Sequence, residues 1–216
     1  MWCIGRITTE YRVRMYDLLS LYKESYNPKR PTICFDEKSK QLLGQIKKPL
    51  HGKVIREDYH YVRNGTRNIF MAVEPKGGKR YTEITYTRKK SDFAHFIKRL
   101  VYDRYPEAEI IRLVVDNLNT HNESSFYKTF PKKEAKRILD KLEFHYTPKH
   151  ASWLNMAEIE IGVMERQCLK GRIPDEVTLK TQVLAWQERR NKQRAKIKWT
   201  FTKQKADQKM KKYYIA

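Results

Sequence analysis

The stretch Ile110-Ile-Arg-Leu-Val-Val-Asp116 decides how this chain is read. Residues 110–115 are apolar at nearly every position, which suits a strand buried on both faces of a sheet. Asp116 then emerges at the C-terminal end of that strand, where open α/β sheets usually place their sites. A second run, Thr32-Ile-Cys-Phe-Asp36, has the β-branched and aromatic character of a strand and is also closed by an aspartate.

Before Asp36, Tyr11, Met15, Leu18 and Tyr22 recur at helical spacing over 8–23, and Asn27-Pro28 with Pro31 stops the pattern. After it, strands are expected from Tyr59 to Glu74, interrupted near Asn64-Gly65, and from Arg80 to Thr87, with Pro75 to Gly78 as the turn between them. Ser91-Asp92 is placed to cap a helix whose apolar face runs through Phe93, Phe96, Ile97, Leu100 and Val101 as far as Tyr105-Pro106. Beyond Asp116 the pattern predicts helices over 131–142, 153–169 and 175–190 and a short strand over 143–146. This order of elements fits an α/β fold, a mixed five-stranded sheet with helices packed against it. The expected organisation is a leading helix and linker (1–30), a main domain (31–190) and a basic C-terminal extension (191–216).

With 216 residues the chain has room for one good core but hardly for two large domains. Its 46 Lys and Arg against 25 Asp and Glu give a formal charge of +21. Such an excess concentrates polyanions and supplies sequence-independent affinity for DNA or RNA through counterion release. From Arg189 to Lys212 there are eleven basic residues and one acid, Asp207, which reads as a solvated helix face or a backbone-binding arm. Arg63, Arg67, Lys76, Lys79, Arg80 and Arg88 to Lys90 add positive charge around the central strands, and most are expected to be solvated. Cys3, Cys34 and Cys168 are odd in number and widely spaced, so neither a disulfide framework nor a zinc site is indicated, and a reducing cytosol fits best. No apolar run reaches the length of a membrane span, and the first residues lack the order of a secretion signal.

Three segments carry a family resemblance: Cys34-Phe-Asp-Glu37, Asp116-Asn-Leu-Asn-Thr-His121 and Tyr146-Thr-Pro-Lys-His-Ala-Ser-Trp-Leu-Asn-Met-Ala-Glu158. With Asp92-Phe-Ala-His95 and Tyr105-Pro-Glu-Ala-Glu109, they resemble the catalytic domain of bacterial insertion-sequence transposases in the mariner-like DDE superfamily, from about Trp2 to the C-terminus. The resemblance implies a ribonuclease-H-like fold in which Asp36, Asp116 and Glu158 form an acidic triad holding two Mg2+ or Mn2+ ions. It also implies DNA partners (element ends and target), a homodimer on DNA, and a bacterial cytoplasmic, nucleoid-associated setting. Full-length members carry helix-turn-helix segments before this domain, whereas this chain starts at the leading helix. A split or partial gene product is therefore an expectation to hold beside an active enzyme.

Elementary chemistry supports the triad independently. Cleaving a phosphodiester requires the attacking and leaving oxygens to be stabilised on opposite sides of phosphorus, which two divalent ions can do. Hard carboxylate oxygens suit Mg2+, which takes few protein ligands and leaves positions open. An aspartate closing a buried strand also often caps the next turn, so Asp36 or Asp116 alone would mean little. In the third segment Ala157, Ile161, Met164 and Cys168 make the inward stripe, with Glu158 and Glu160 flanking it. Periodicity does not choose between these acids. The resemblance chooses Glu158, leaving Glu160 as an acid at the surface or behind the site. Glu37 points to the opposite face of its strand from Asp36 and is left out.

For DNA contact the candidates are Lys149, His150, Trp153, Asn119 and His121. Lys149 offers a phosphate partner, and Trp153 either stacks on an unpaired base or packs into the core. The asparagines after Asp116 serve equally well to hold their loop, while His121 can relay protons near bound water. The expected activity is metal-dependent cleavage and strand transfer at the ends of a mobile element. The alternatives are a ribonuclease-H-like nuclease without strand transfer and an inactive DNA-binding remnant.

Overall fold

The computed structural model describes residues 7–45 and 60–214; Cys3 and the expected strand start at Tyr59 lie outside them. Helix α1 (Thr9–Lys23) begins where the Thr8 side chain accepts a hydrogen bond from the Tyr11 N–H, and it carries Glu10 in its first turn and Lys23 in its last, both matched to the helix dipole. Its inner face buries Met15, Leu18, Leu19 and Tyr22.

Strands β1 (Thr32–Gln45), β2 (Tyr61–Glu74), β3 (Lys79–Thr85), β4 (Ile111–Val115) and β5 (Leu142–Tyr146) form one sheet in the order β3-β2-β1-β4-β5. The first three are antiparallel neighbours, and β4 and β5 continue parallel to β1. This is the mixed five-stranded sheet that the order of elements predicted. β1 is far longer than its apolar run, because Glu37 to Gln45 pair along β2 and the backbone ladder overrides their polar side chains. β2 runs through Asn64-Gly65 as one strand, but its ladder with β1 is interrupted there as expected: pairing steps from Thr66 opposite Gln41 to Arg63 opposite Leu43, and Gly65 takes a left-handed φ of 93° that suits glycine.

Alternation sorts the sheet into two faces. Ile33, Phe35, Phe70, Leu113 and Val115 face one core, covered by α2 (Lys90–Arg99), α3 (Ser124–Thr129) and α4 (Lys132–Leu139). Phe35 meets Phe70 and Phe93 edge to face, with centroids 5.5 and 5.2 Å apart, contacts of about 0.5–1.5 kcal/mol each beyond their burial. Cys34, Met71, Val73 and Val114 face the other core, covered by α1, α5 (Met156–Cys168) and α6 (Glu176–Lys192).

Three local features differ from the sequence reading. α2 is capped two residues earlier than Ser91: Lys89 is its N-cap, and Asp92 reaches back to accept from the Lys89 N–H (2.7 Å). The helix then runs into a π turn over Leu100–Arg104 before Tyr105. α3 had no counterpart in the expected elements. The basic extension is folded: α7 (Lys203–Met210) buries Ala206 and Met210, Trp199 packs edge-on to Tyr22 (5.2 Å), and Tyr214 bridges to Ile7. Among the described residues no helix is long and apolar enough to cross a membrane.

Candidate active site

The parallel register of β1 and β4 pairs Ile33 with Leu113 and Cys34 with Val114, so two residues further on Asp36 comes beside Asp116. Asp36 lies opposite Met71 and so shares the α5 face of the sheet. The start of α5 is fixed to the same place. Asn155, fully buried, caps the helix by accepting from the Ala157 N–H (3.1 Å) and donates its amide to the Phe35 carbonyl (2.8 Å), one residue before Asp36. A cap of this kind contributes about 1 kcal/mol. Here it also sets the position of Glu158, which stands exposed in the first turn of α5.

On the other face Glu37 turns toward His121, as strand alternation requires. His121 is 1% exposed, and its two ring nitrogens bridge acids: Nδ1 lies 2.5 Å from Asp116 Oδ1 and Nε2 lies 3.0 Å from Glu37 Oε2. Its ring is seated against Phe35 and Phe93. Burial alone would lower the His121 pKa, but Asp116 and Glu37 outweigh it and push it up to about 9, so the ring is an imidazolium at neutral pH. Asp116 is held low: burial opposes ionisation, but the His121 hydrogen bond and charge, with the Leu118 N–H, prevail. Asp36 goes the other way, pushed up to about 7 chiefly by burial, with the Glu37 and Asp116 charges adding to it. The rim is therefore short of positive charge, within a protein that has an excess of it elsewhere.

The donor chemistry fits a hard divalent cation: the three acids offer only oxygen, and a cation would relieve the like-charge strain on Asp36. The side chains are not gathered into a finished cage, for among the described residues no three His, Cys, Asp or Glu stand close enough together to hold a metal ion. Asp116 Oδ1 is committed to His121 and the Leu118 N–H, and Glu158 points into solvent.

The expected DNA contacts separate into two groups. Lys149, His150 and Asn119 are exposed in the loops after β5 and β4, with His150 in a left-handed backbone conformation (φ 60°). Burial removes His121 from the surface, so direct contact with DNA does not suit it. Trp153 is half-buried, with its ring edge-on to Phe201 at 5.3 Å, so its area goes into packing. Glu160 is neither at the surface nor at the site: it is 1% exposed and binds Arg80 (3.0 Å) and Arg190 (2.8 Å) behind α5. Arg80, one of the basic residues of which most were expected in solvent, is fully buried in that cluster. Sequence reasoning missed the Glu37–His121 contact; its one available signal was the strand alternation that sends Glu37 to the side where His121 lies.

Residues 31–180 match the family model of the DDE superfamily endonucleases. A search of curated proteins finds no match. Among solved structures, the Mos1 transposase paired-end complex with the left transposon end is 14% identical, with a TM-score of 0.57, covering 87% of this chain and 57% of that one. The Mos1 mariner paired end complex with Mn is 14% identical at a TM-score of 0.58, covering 90% and 61%. The Mos1 strand transfer complex is 14% identical at 0.57, covering 82% and 52%. This chain thus spans between half and two thirds of the length of those structures, and at such identity the likeness establishes the ribonuclease-H-like fold. Since the family model covers both strands that carry the aspartates and the whole of α5, the chain belongs to the DDE superfamily endonucleases.

Proposed function

We propose that this chain is the catalytic domain of a transposase, cleaving DNA and transferring strands at the ends of a mobile element in a reaction dependent on divalent metal. The observation that carries the reading is the register that sets Asp36 beside Asp116, with the start of α5 bonded to the backbone next to Asp36. Asp36, Asp116 and Glu158 would hold two Mg2+ or Mn2+ ions, which when bound polarise the phosphate and stabilise the attacking and leaving oxygens. Glu158, exposed in the first turn of α5, would complete the set. Asp116 keeps its orientation through His121, which Glu37 holds charged and in place. Lys149, His150 and Asn119 lie on the loops flanking the acids and are suited to phosphate contact. Water is the nucleophile in hydrolysis. The freed 3'-hydroxyl then attacks target DNA, and no covalent link to the protein is needed. A homodimer on DNA is part of the same reading.

The test uses supercoiled plasmid for nicking and pre-cut ends of the element for joining, each with Mn2+ or Mg2+. Metal-dependent nicking together with joined products is the expected result. Nicking without joining would make the chain a nuclease only, and metal-independent DNA binding without nicking would make it an inactive remnant.

A further inference from the structure

Where β1 and β4 begin, the last turn of α1, the β2–β3 turn and the extended segment before α7 enclose an open groove of about 1480 Å3. Its charge is one-sided. Lys23, Lys76, Lys196, Lys198 and Lys203 line it, and its one lining carboxylate among the described residues, Glu24, is committed to Arg112. Partial burial, and next the Arg112 charge, lower the Lys76 pKa against the opposing charge of Glu24.

The groove also presents rings. Tyr26 is 48% exposed, whereas Trp199 and Phe201 are half-buried, packed edge-on to Tyr22 and Trp153, and leave only part of each ring open to the groove. The segment Lys196-Ile-Lys-Trp-Thr-Phe201 interleaves cations with apolar groups while the Ile197 N–H is tied to the Pro75 carbonyl (2.9 Å), which fixes this wall to the β2–β3 turn. Met156, two residues before Glu158, lines the same groove.

We propose that this groove binds an unpaired stretch of DNA, its phosphates on the lysines and its bases chiefly against Tyr26, beside the open parts of Trp199 and Phe201. Duplex DNA presents only phosphates and groove edges, so the rings would gain nothing from it. A single strand exposes base faces, which stack on aromatic side chains regardless of sequence. A polyglutamate would meet the charge but not the rings. The binding needs no metal and no chemistry, so it stands or falls separately from the activity proposed above.

The test is equilibrium binding of the full chain to a fluorescent oligothymidylate in EDTA, beside a duplex of equal length. The single strand should bind more tightly. Tyr26→Ala should weaken it roughly tenfold and leave duplex binding unchanged. Since Tyr26 is exposed, that variant should fold; as a second handle, the double variant Lys196→Glu, Lys198→Glu should lower the slope of log affinity against log salt by roughly 0.7 per lost phosphate contact. Lys132→Glu with Lys133→Glu, on α4, should leave the preference intact. Equal affinity for single strand and duplex with no effect of Tyr26→Ala would overturn the proposal. So would displacement of the oligothymidylate by polyglutamate as effectively as by unlabelled oligothymidylate.

Discussion

Two clusters of buried charge lie on either side of the first turns of α5, and they are built in opposite ways. Behind the helix, Glu160 receives Arg80 on one side and Arg190 on the other, so a single carboxylate is over-supplied with cations within 3.0 Å. At the rim, Glu37 and Asp116 share the His121 imidazolium, with only the exposed Arg88 guanidinium 4.0 Å from Glu37 besides, and Asp36, with no cation bound to it among the described residues, is pushed up to about 7 chiefly by burial and then by the neighbouring carboxylates. A cluster whose charges are met from within the chain serves the fold. One left short of cations, in a protein with a formal charge of +21, is poised for a cation from outside.

That contrast can be broken by exchanging the effects of substitution. Asp36→Asn and Asp116→Asn should each reduce metal-dependent nicking by on the order of a thousandfold or more, since several kcal/mol of transition-state stabilisation goes with the metal; the melting temperature should stay level or rise for Asp36→Asn, whose burial disfavours its charge, and fall for Asp116→Asn, which takes a partner from the His121 imidazolium. Plasmid nicking and thermal melting, run in parallel, check both halves. Glu160→Ala should do the reverse. Leaving Arg80 buried without its partner costs about 3–5 kcal/mol, seen as a melting temperature lower by roughly 10 °C, with Mn2+ affinity unchanged in the remaining folded protein.

A sharper comparison lies within the rim. Glu37→Gln keeps the shape of the side chain and removes the charge that holds His121, so Asp116 loses its fixed orientation. The expected loss is roughly ten- to a hundredfold in apparent Mn2+ affinity, with less effect on nicking at saturating metal. The smallest effect is on stability against pH in the metal-free protein. His121 has a folded pKa of about 9, above its ordinary 6.5, so its contribution is fully present below pH 6.5 and lost as pH rises through 9. Asp36, raised from 3.8 to about 7, also makes stability fall as pH rises, over the lower window between those values. Melting curves in EDTA should therefore decline from pH 4 to 9, with Asp36→Asn flattening the acid part and His121→Phe the alkaline part.

The two clusters were not equally legible in the sequence. β4 and the apolar half of β1 announced themselves because a parallel strand buried on both faces has few alternatives to a continuous apolar run. The acids at their ends followed from that, and the mixed sheet from the order of elements. Partnership across the fold left no such mark. Arg80 and Glu160 meet only because β3 and α5 pack against α6, and no periodicity in either segment records it. The polar half of β1 was invisible for the same reason, its strand character coming from β2. The folded tail had left a signal, the alternation Ile197, Trp199, Phe201 followed by Ala206 and Met210 at helical spacing, which the density of lysines obscured. α3, at six residues, is too short to show a period.

The central claim is that Asp36, Asp116 and Glu158 hold divalent cations together. Calorimetric titration of Mn2+ into the protein and into Glu158→Gln tests it most directly, because Glu158 is exposed and its substitution leaves the fold alone. The account predicts saturable binding to the wild-type chain that Glu158→Gln weakens at least tenfold. Binding of equal affinity and stoichiometry in the two proteins would contradict it.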